Sequence, residues 1–157
     1  MQYLLEKYDY LLPPKGSQEP ISLFGIECSD GWETLLVNVF EVLTARYRQA
    51  LRDLEYAQKS GKDELMIDFL KLKVDDEKSK LPTVCQIKSK FATLRFYADN
   101  LNDYSKGIIE MAEVMSGTIC EFCGNKGKQV GGRWITTLCK DCESKNSSCN
   151  SGENSVV

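Results

Sequence analysis

Residues 83–98 read TVCQIKSKFATLRFYA, and this stretch decides the fold class. Thr83–Lys88 and Phe91–Ala98 are rich in Val, Ile, Thr, Phe and Tyr, which fit a pleated, half-buried surface, so they predict two adjacent β-segments. The sequence on either side has a helical period. Upstream, Trp32, Leu35, Leu36, Val39, Phe40 and Leu43, continued by Tyr47, Leu51 and Leu54, recur every three or four residues and define one apolar stripe. Ser29 or Asp30 is the expected cap of that helix. Gly61 separates it from a second, more polar helix over 62–80 that carries Leu65, Met66, Phe69, Leu70 and Leu72 and stops at Leu81-Pro82. Downstream, Leu101, Tyr104, Ile108, Met111 or Ala112, and Met115 predict a further helix ending at Gly117. Residues 1–8 predict a short helix before Pro13-Pro14, and Ile21–Ile26 a strand or extended arm. The expected fold is α+β, with helices packed on a small antiparallel sheet over residues 1–117.

Beyond residue 117 the chemistry changes. Cys120-x2-Cys123-x15-Cys139-x2-Cys142 has the spacing of a structural zinc site, two CxxC knuckles brought together by one fold-back of the chain. Lys128–Val130 and Arg133–Leu138 predict short strands joined by Gly131-Gly132, and Gly124 suits the bend after the first knuckle. Knuckle, hairpin, knuckle is the order of a zinc ribbon; a helix starting at the second knuckle would make a treble clef instead. Four protein ligands leave no open coordination position, so the expected Zn²⁺ is structural. Residues 120–145 carry five Lys/Arg against three Asp/Glu, which offsets most of the charge of a zinc tetrathiolate. The module is expected over 118–145, with a disordered tail over 146–157. Cys28 and Cys85 read as small core residues, and Cys149 as incidental.

The 157 residues are 42% apolar, enough for a core, and carry a formal net charge of −3, too mild for bulk phosphate neutralisation. The N-terminal MQYLLEKYDYLLPPK contains acids and no uninterrupted apolar run, so no signal peptide is expected. With no span long enough for a bilayer, the expectation is a reducing cytoplasm and no membrane partner. There is no histidine. That absence excludes Ser-His-Asp and Cys-His nucleophilic arrangements and removes the commonest acid–base side chain near neutral pH, so no enzyme is expected.

Two further constellations remain. Lys88, Lys90 and Arg95 interleave with Phe91, Phe96 and Tyr97, either a face that stacks a base and holds a phosphate or an ordinary strand pair with a solvated basic edge. Arg133 and Trp134 form a second candidate stacking tip, the alternative for Trp134 being a hydrophobic plug beneath the zinc module. Glu27, Asp30 and Glu33 could build a carboxylate site needing Mg²⁺, but Asp30 is explained as a helix cap and Glu33 as a first-turn acid.

Three blocks, Glu27-Cys28-Ser29-Asp30-Gly31-Trp32, then Lys88-Ser89-Lys90-Phe91-Ala92-Thr93-Leu94-Arg95-Phe96-Tyr97, then CxxCG…GGRWITTLCKDC, occur here in one order. In this the chain resembles a family of small zinc-ribbon proteins encoded by bacteriophages and prophages, over roughly residues 24–142. The family often has Gly at positions 29 and 92, Glu at 89 and His at 142, and it carries no agreed activity. The resemblance implies expression inside an infected bacterium. The expected function is a zinc-stapled accessory protein that binds a host component, as counter-defence, either blocking a defence protein or sequestering a nucleotide-type small molecule. A nucleic-acid-binding or transcription-associated factor is the alternative, and self-association is left open.

Overall fold

The computed structural model describes residues 1–131 and 134–150, the last five as backbone alone. The elements are α1 (Tyr3–Lys7), α2 (Pro20–Phe24), β1 (Ile26–Glu27), α3 (Glu33–Lys59), α4 (Glu64–Ser79), β2 (Thr83–Lys90), β3 (Thr93–Asp99), α5 (Asp103–Ser116), β4 (Lys128–Val130), β5 (Thr136–Leu138) and α6 (Lys140–Asn150). The architecture is α+β. β2 and β3 form the expected antiparallel hairpin, and β1 adds to β2 in parallel, so the three-stranded sheet is mixed, in the order β1-β2-β3.

α3 buries Leu35, Leu36, Val39, Phe40 and Leu43 on this sheet, with Trp32 fully buried just ahead of it. Tyr8 stacks on Phe40 at 4.9 Å between ring centroids, and Phe96 of β3 meets the same ring edge-on at 5.8 Å. The stripe runs out halfway along: Leu51 is exposed, and Ala50 and Ala57 are buried where α4 packs against the far half of α3. Asp63 starts α4 by accepting from the Met66 N–H at 2.8 Å.

Four expectations need correction. Ile21–Ile26 is no strand: Pro20 occupies the first position of α2, where its missing N–H is not needed, and only Ile26–Glu27 is extended. Neither Ser29 nor Asp30 makes a side-chain cap; a 3-10 turn, Asp30–Trp32, leads into α3. On α4, Leu65, Met66, Phe69 and Leu72 are exposed and Val74 is the buried residue. On α5 the buried face is Ser105, Ile109, Ala112 and Ser116, one position on from Tyr104, Ile108, Met111 and Met115.

Hydroxyl chemistry sets that α5 face. Ser105 closes a capping box with Asn102, and the Ser116 hydroxyl accepts from the Leu94 N–H at 2.8 Å. Glu113 accepts from the Phe96 N–H at 3.0 Å. α5 therefore satisfies the open edge of β3, which would otherwise be available to another strand. The backbone of α6 runs through the start of the segment expected as a disordered tail.

Candidate functional site

The first knuckle lies against residues 29–32. The Gly31 N–H donates to the Glu121 carbonyl at 2.8 Å, and the Trp32 indole N–H donates to the Ile119 carbonyl at 2.9 Å. The approach is close enough that a Cβ on Gly31 would sit 2.3 Å from the Cys120 carbonyl oxygen and 2.5 Å from that of Glu121. Glu121 is buried; its carboxylate accepts from the Ser89 hydroxyl at 2.8 Å and the Ser29 N–H at 3.4 Å. Just past the same end of β2, the Thr137 hydroxyl of β5 donates to the Ala92 carbonyl at 2.6 Å. The cysteine segment is thus held at two places, by the turn into α3 and by the β2–β3 turn.

Within it, Gly124 takes φ +77° and its N–H donates to the Cys120 carbonyl at 2.9 Å, closing the first knuckle as its sequence position predicts. β4 and β5 pair antiparallel, and α6 begins at Lys140, between Cys139 and Cys142. The four cysteines are free thiols whose Sγ atoms all lie within 4.8 Å of one another. Tetrahedral metal–thiolate bonds of about 2.3 Å separate sulfurs by about 3.8 Å. Small side-chain rotations would close the quartet on one ion, and the four can hold a metal.

Burial disfavours a Cys120 thiolate, but backbone N–H groups of Cys139, Cys123 and Phe122 outweigh it and hold the thiol down at about 7. Cys142, hydrogen-bonded to Cys139 and Cys123, is pushed up to about 12. Without a cation the sulfurs share protons that a metal would displace. Outside the quartet, burial, with the charges of Glu121 and Asp30 adding, pushes the Cys28 thiol up to about 12. Cys28 and Cys85 are half-buried, as small core-edge residues, and unreactive in that state.

The cation–aromatic residues come together only in part. Lys88 and Arg95 are directly opposite across β2 and β3, with Gln86 opposite Tyr97, so Lys88, Arg95 and Tyr97 share the outward face of the hairpin. The Lys88 ammonium lies 5.5 Å from the Tyr97 ring centroid, and Arg95 lies 3.6 Å from Glu113. Lys90 stands at the turn, 5.2 Å from the Phe91 centroid. Beside that turn is a notch of about 260 Å³ lined by Ser89, Lys90, Phe91, Trp134 and Ile135. Lys88, Arg95 and Tyr97 are not part of its lining, and Arg133 and Gly132 lie outside the described residues.

Trp134 is no plug. It is 84% exposed, and Trp32 takes the buried position beneath the cysteine segment. The carboxylates form no joint site either: Glu27 accepts from the Gln86 amide, Glu33 from the Tyr3 hydroxyl, and Asp30 lies exposed near the chain's amino terminus.

Sequence reasoning grouped Phe91 with the cation–aromatic strand face and missed that it is a turn residue. Phe91 and Ala92 are the two turn residues of the β2–β3 hairpin, and both have positive φ, +54° and +62°. Such turns favour Asn-Gly, and a bulky residue there is an outlier. Ala92 is buried and its carbonyl is used by Thr137; the Phe91 ring is 67% exposed. Glu121 was also missed, counted only as one charge among eight in the module. The available signal was an acid lodged inside a CxxC knuckle.

No helix among the described residues is long and apolar enough to cross a membrane. No protein family matches the chain, and neither a curated protein nor a solved structure matches it.

Proposed function

We propose that this chain is a non-enzymatic binding protein, built around a structural zinc ion, that sequesters a nucleotide-class ligand in the cytoplasm of an infected bacterium. The ligand's planar ring enters the notch between Phe91 and Trp134, and the Lys90 ammonium meets its anionic group. Withholding such a ligand from the host is counter-defence by binding, with no bond made or broken.

Phe91 carries the reading. A phenylalanine in a left-handed turn position costs roughly 1–2 kcal/mol, and a ring left mostly in water recovers little of it. Neither the turn nor the core accounts for that side chain, whereas stacking on a ligand does. Trp134 supports the same reading as a second exposed aromatic on the same notch. Zinc is the proposed occupant of the quartet because four thiolates in a closed tetrahedron suit it, and the order knuckle, hairpin, helix fits a treble-clef-like module. Its job is positional: Cys139 follows β5, and β5 ends the loop that bears Trp134. The phage setting rests on the resemblance of three sequence blocks, and those blocks meet in space through the Gly31–Glu121, Ser89–Glu121 and Ala92–Thr137 hydrogen bonds.

A single-stranded nucleic acid lying along the outward face is the second reading. It is favoured by the directly opposed cations Lys88 and Arg95 beside Tyr97.

The test titrates purified, zinc-loaded protein with nucleoside phosphates, cyclic dinucleotides and a single-stranded oligonucleotide, by calorimetry and tryptophan fluorescence. Trp32 is buried, so quenching would report Trp134. Saturable mononucleotide or dinucleotide binding, weakened about 10-fold or more by Trp134→Ala and by Phe91→Gly but not by Lys88→Ala, is the expected result. Steeply salt-dependent oligonucleotide binding that needs Lys88 and Arg95 would establish the second reading instead. Binding of none of these probes would end both. Elemental analysis should find one zinc per chain, and Cys120→Ser should lower both the zinc content and the thermal transition.

A further inference from the structure

We propose that the groove between the middle of α3, the end of α4 and the start of α5 binds a small monocarboxylate carrying one ring or a short hydrocarbon chain. None of its lining residues lines the notch beside Phe91, so the inference is independent of the ligand proposed there.

The groove has a volume of about 370 Å³, at the small end of the roughly 300–1,000 Å³ typical of small-molecule sites. Its apolar part comes from two places. Val42 and Leu43 of α3 line it, each followed four residues later, on the same face of the helix, by Arg46 and Tyr47. Leu81 and Pro82, both buried between α4 and β2, supply a second wall. Tyr104 of α5 adds a third.

These walls are fixed before any ligand arrives. The Asn100 amide donates to the carbonyls of Ser79 and Leu81, at 3.0 and 2.9 Å, and so ties the end of α4 to the turn ahead of α5. Ser105 and Asn102 then close the capping box that starts α5. Tyr47 is braced by the Tyr10 ring, with centroids 5.3 Å apart. A preformed apolar hollow with a well-placed charge is the usual make-up of a small-ligand site.

The charge is Arg46. Its guanidinium lies 5.3 Å from the Tyr104 ring centroid, a cation–π contact that orients the group without using up its N–H donors. Arg48, Arg52 and Arg95 each donate to a side-chain or backbone acceptor, whereas Arg46 has neither a hydrogen bond nor an ion pair among the described residues. The other charges lining the groove are accounted for. Lys80 lies 3.4 Å from Glu77 and also pairs with Asp76, and Asp103 sits in the first turn of α5, where the helix dipole favours an acid. A carboxylate therefore finds a planar fork of donors to meet it bidentately, and the hydrocarbon behind it covers Val42, Leu81 and Pro82. A bare inorganic anion would satisfy Arg46 and leave that surface in water; a neutral hydrocarbon would do the reverse.

Titration of the isotope-labelled full-length protein with hydrocinnamate, followed by amide chemical shifts, tests this. The expected result is saturable binding with a Kd of about 1 mM or tighter, the weak end of affinity that a ligand of this size reaches. The shifts should gather on residues 42–47, 80–82 and 102–105 and spare 89–91. Arg46→Gln should weaken binding about 10-fold or more, and Arg52→Gln, on the same helix outside the groove, should leave it unchanged. Both sites are exposed, and circular dichroism should show both variants folded. The amide analogue, hydrocinnamamide, keeps the ring without the charge and should bind about 10-fold more weakly or worse, as should inorganic phosphate. Absence of saturation up to about 10 mM would overturn the proposal. So would shifts that gather elsewhere, equal binding by the amide or by phosphate, or an Arg46→Gln variant that binds as tightly as the wild type.

Discussion

Gly31→Ala is the sharpest probe of how the cysteine segment is attached. Gly31 has no positive φ, so its backbone conformation is open to any residue and only space is at issue. A Cβ there would lie 2.3 Å from the Cys120 carbonyl oxygen, 2.5 Å from the Glu121 carbonyl oxygen and 2.6 Å from its carbon. All three are backbone atoms of the first knuckle and cannot rotate away, so the knuckle must move. Overpacking of this kind costs about 1–3 kcal/mol. The shift also breaks the Gly31–Glu121 hydrogen bond and strains the Trp32–Ile119 one, each worth about 1 kcal/mol. The sum is roughly 3–5 kcal/mol, or a fall of about 6–20 °C in Tm for a chain of this size. Gly107→Ala is the control, since a Cβ there meets nothing within 4 Å in the middle of α5. It should gain about 0.5–1 kcal/mol from helix propensity. Urea denaturation of both variants, with retention of the proposed zinc measured against a competing chelator, reads the difference. If Gly31→Ala unfolds within 0.5 kcal/mol of the wild type and matches it in metal retention, the knuckle does not rest on Gly31 as described.

Three further predictions follow from single contacts. Glu121→Ala leaves the Ser89 hydroxyl and the Ser29 N–H without their acceptor in a buried setting and should cost about 2–3 kcal/mol by urea denaturation. Glu121→Gln, which keeps a carbonyl acceptor, should cost about half that, and equal losses would mean that the carboxylate's bonds are not what matters. Hydrogen bonds from Tyr8, Arg48 and Lys7 hold the Glu41 carboxyl at about 2, below its ordinary 4.5. A depressed folded-state value stabilises above the ordinary value and is lost as pH falls from about 4.5 to about 2. With the side chain 34% exposed, screening reduces this to about 1 kcal/mol. Tyr8→Phe should therefore narrow the gap between urea midpoints at pH 6 and pH 3, and an unchanged gap would refute the linkage. Phe91→Gly should raise stability by about 0.5–1 kcal/mol while abolishing ligand stacking; destabilisation instead would show that the ring packs.

The parts of the fold legible in the sequence are those written by spacing. Two CxxC pairs predicted four convergent sulfurs, alternating Val, Ile and Phe predicted β2 and β3, and the Trp32–Leu43 stripe predicted the buried half of α3. The illegible parts involve polar atoms doing core work. Ser105 and Ser116 occupy the inner face of α5 because their hydroxyls close a capping box and finish the edge of β3. An apolar-period reading accordingly shifts to Tyr104, Ile108 and Met111. Five-residue α2 is shorter than any period can reveal, and Pro20 is what makes it helical. Gly31 and Phe91 were illegible for another reason. One is required by a backbone that arrives from residue 120, and the other is anomalous only once its φ is known.

The bonds from residues 29–32 to 119–121 also impose an order on biosynthesis. Trp32 waits for Ile119 across 87 positions, and Ser29 waits for Glu121 across 92. At about 5–20 residues per second, residues 29–32 leave the ribosome roughly 4–18 s before the stretch of chain that covers the tryptophan. Until that cover arrives and its thiolates are gathered, the unfinished face is open to proteases and chaperones. Where the quartet takes up a metal, the cell's supply of that metal acts on how much mature protein accumulates, and not only on how firmly each finished molecule is held.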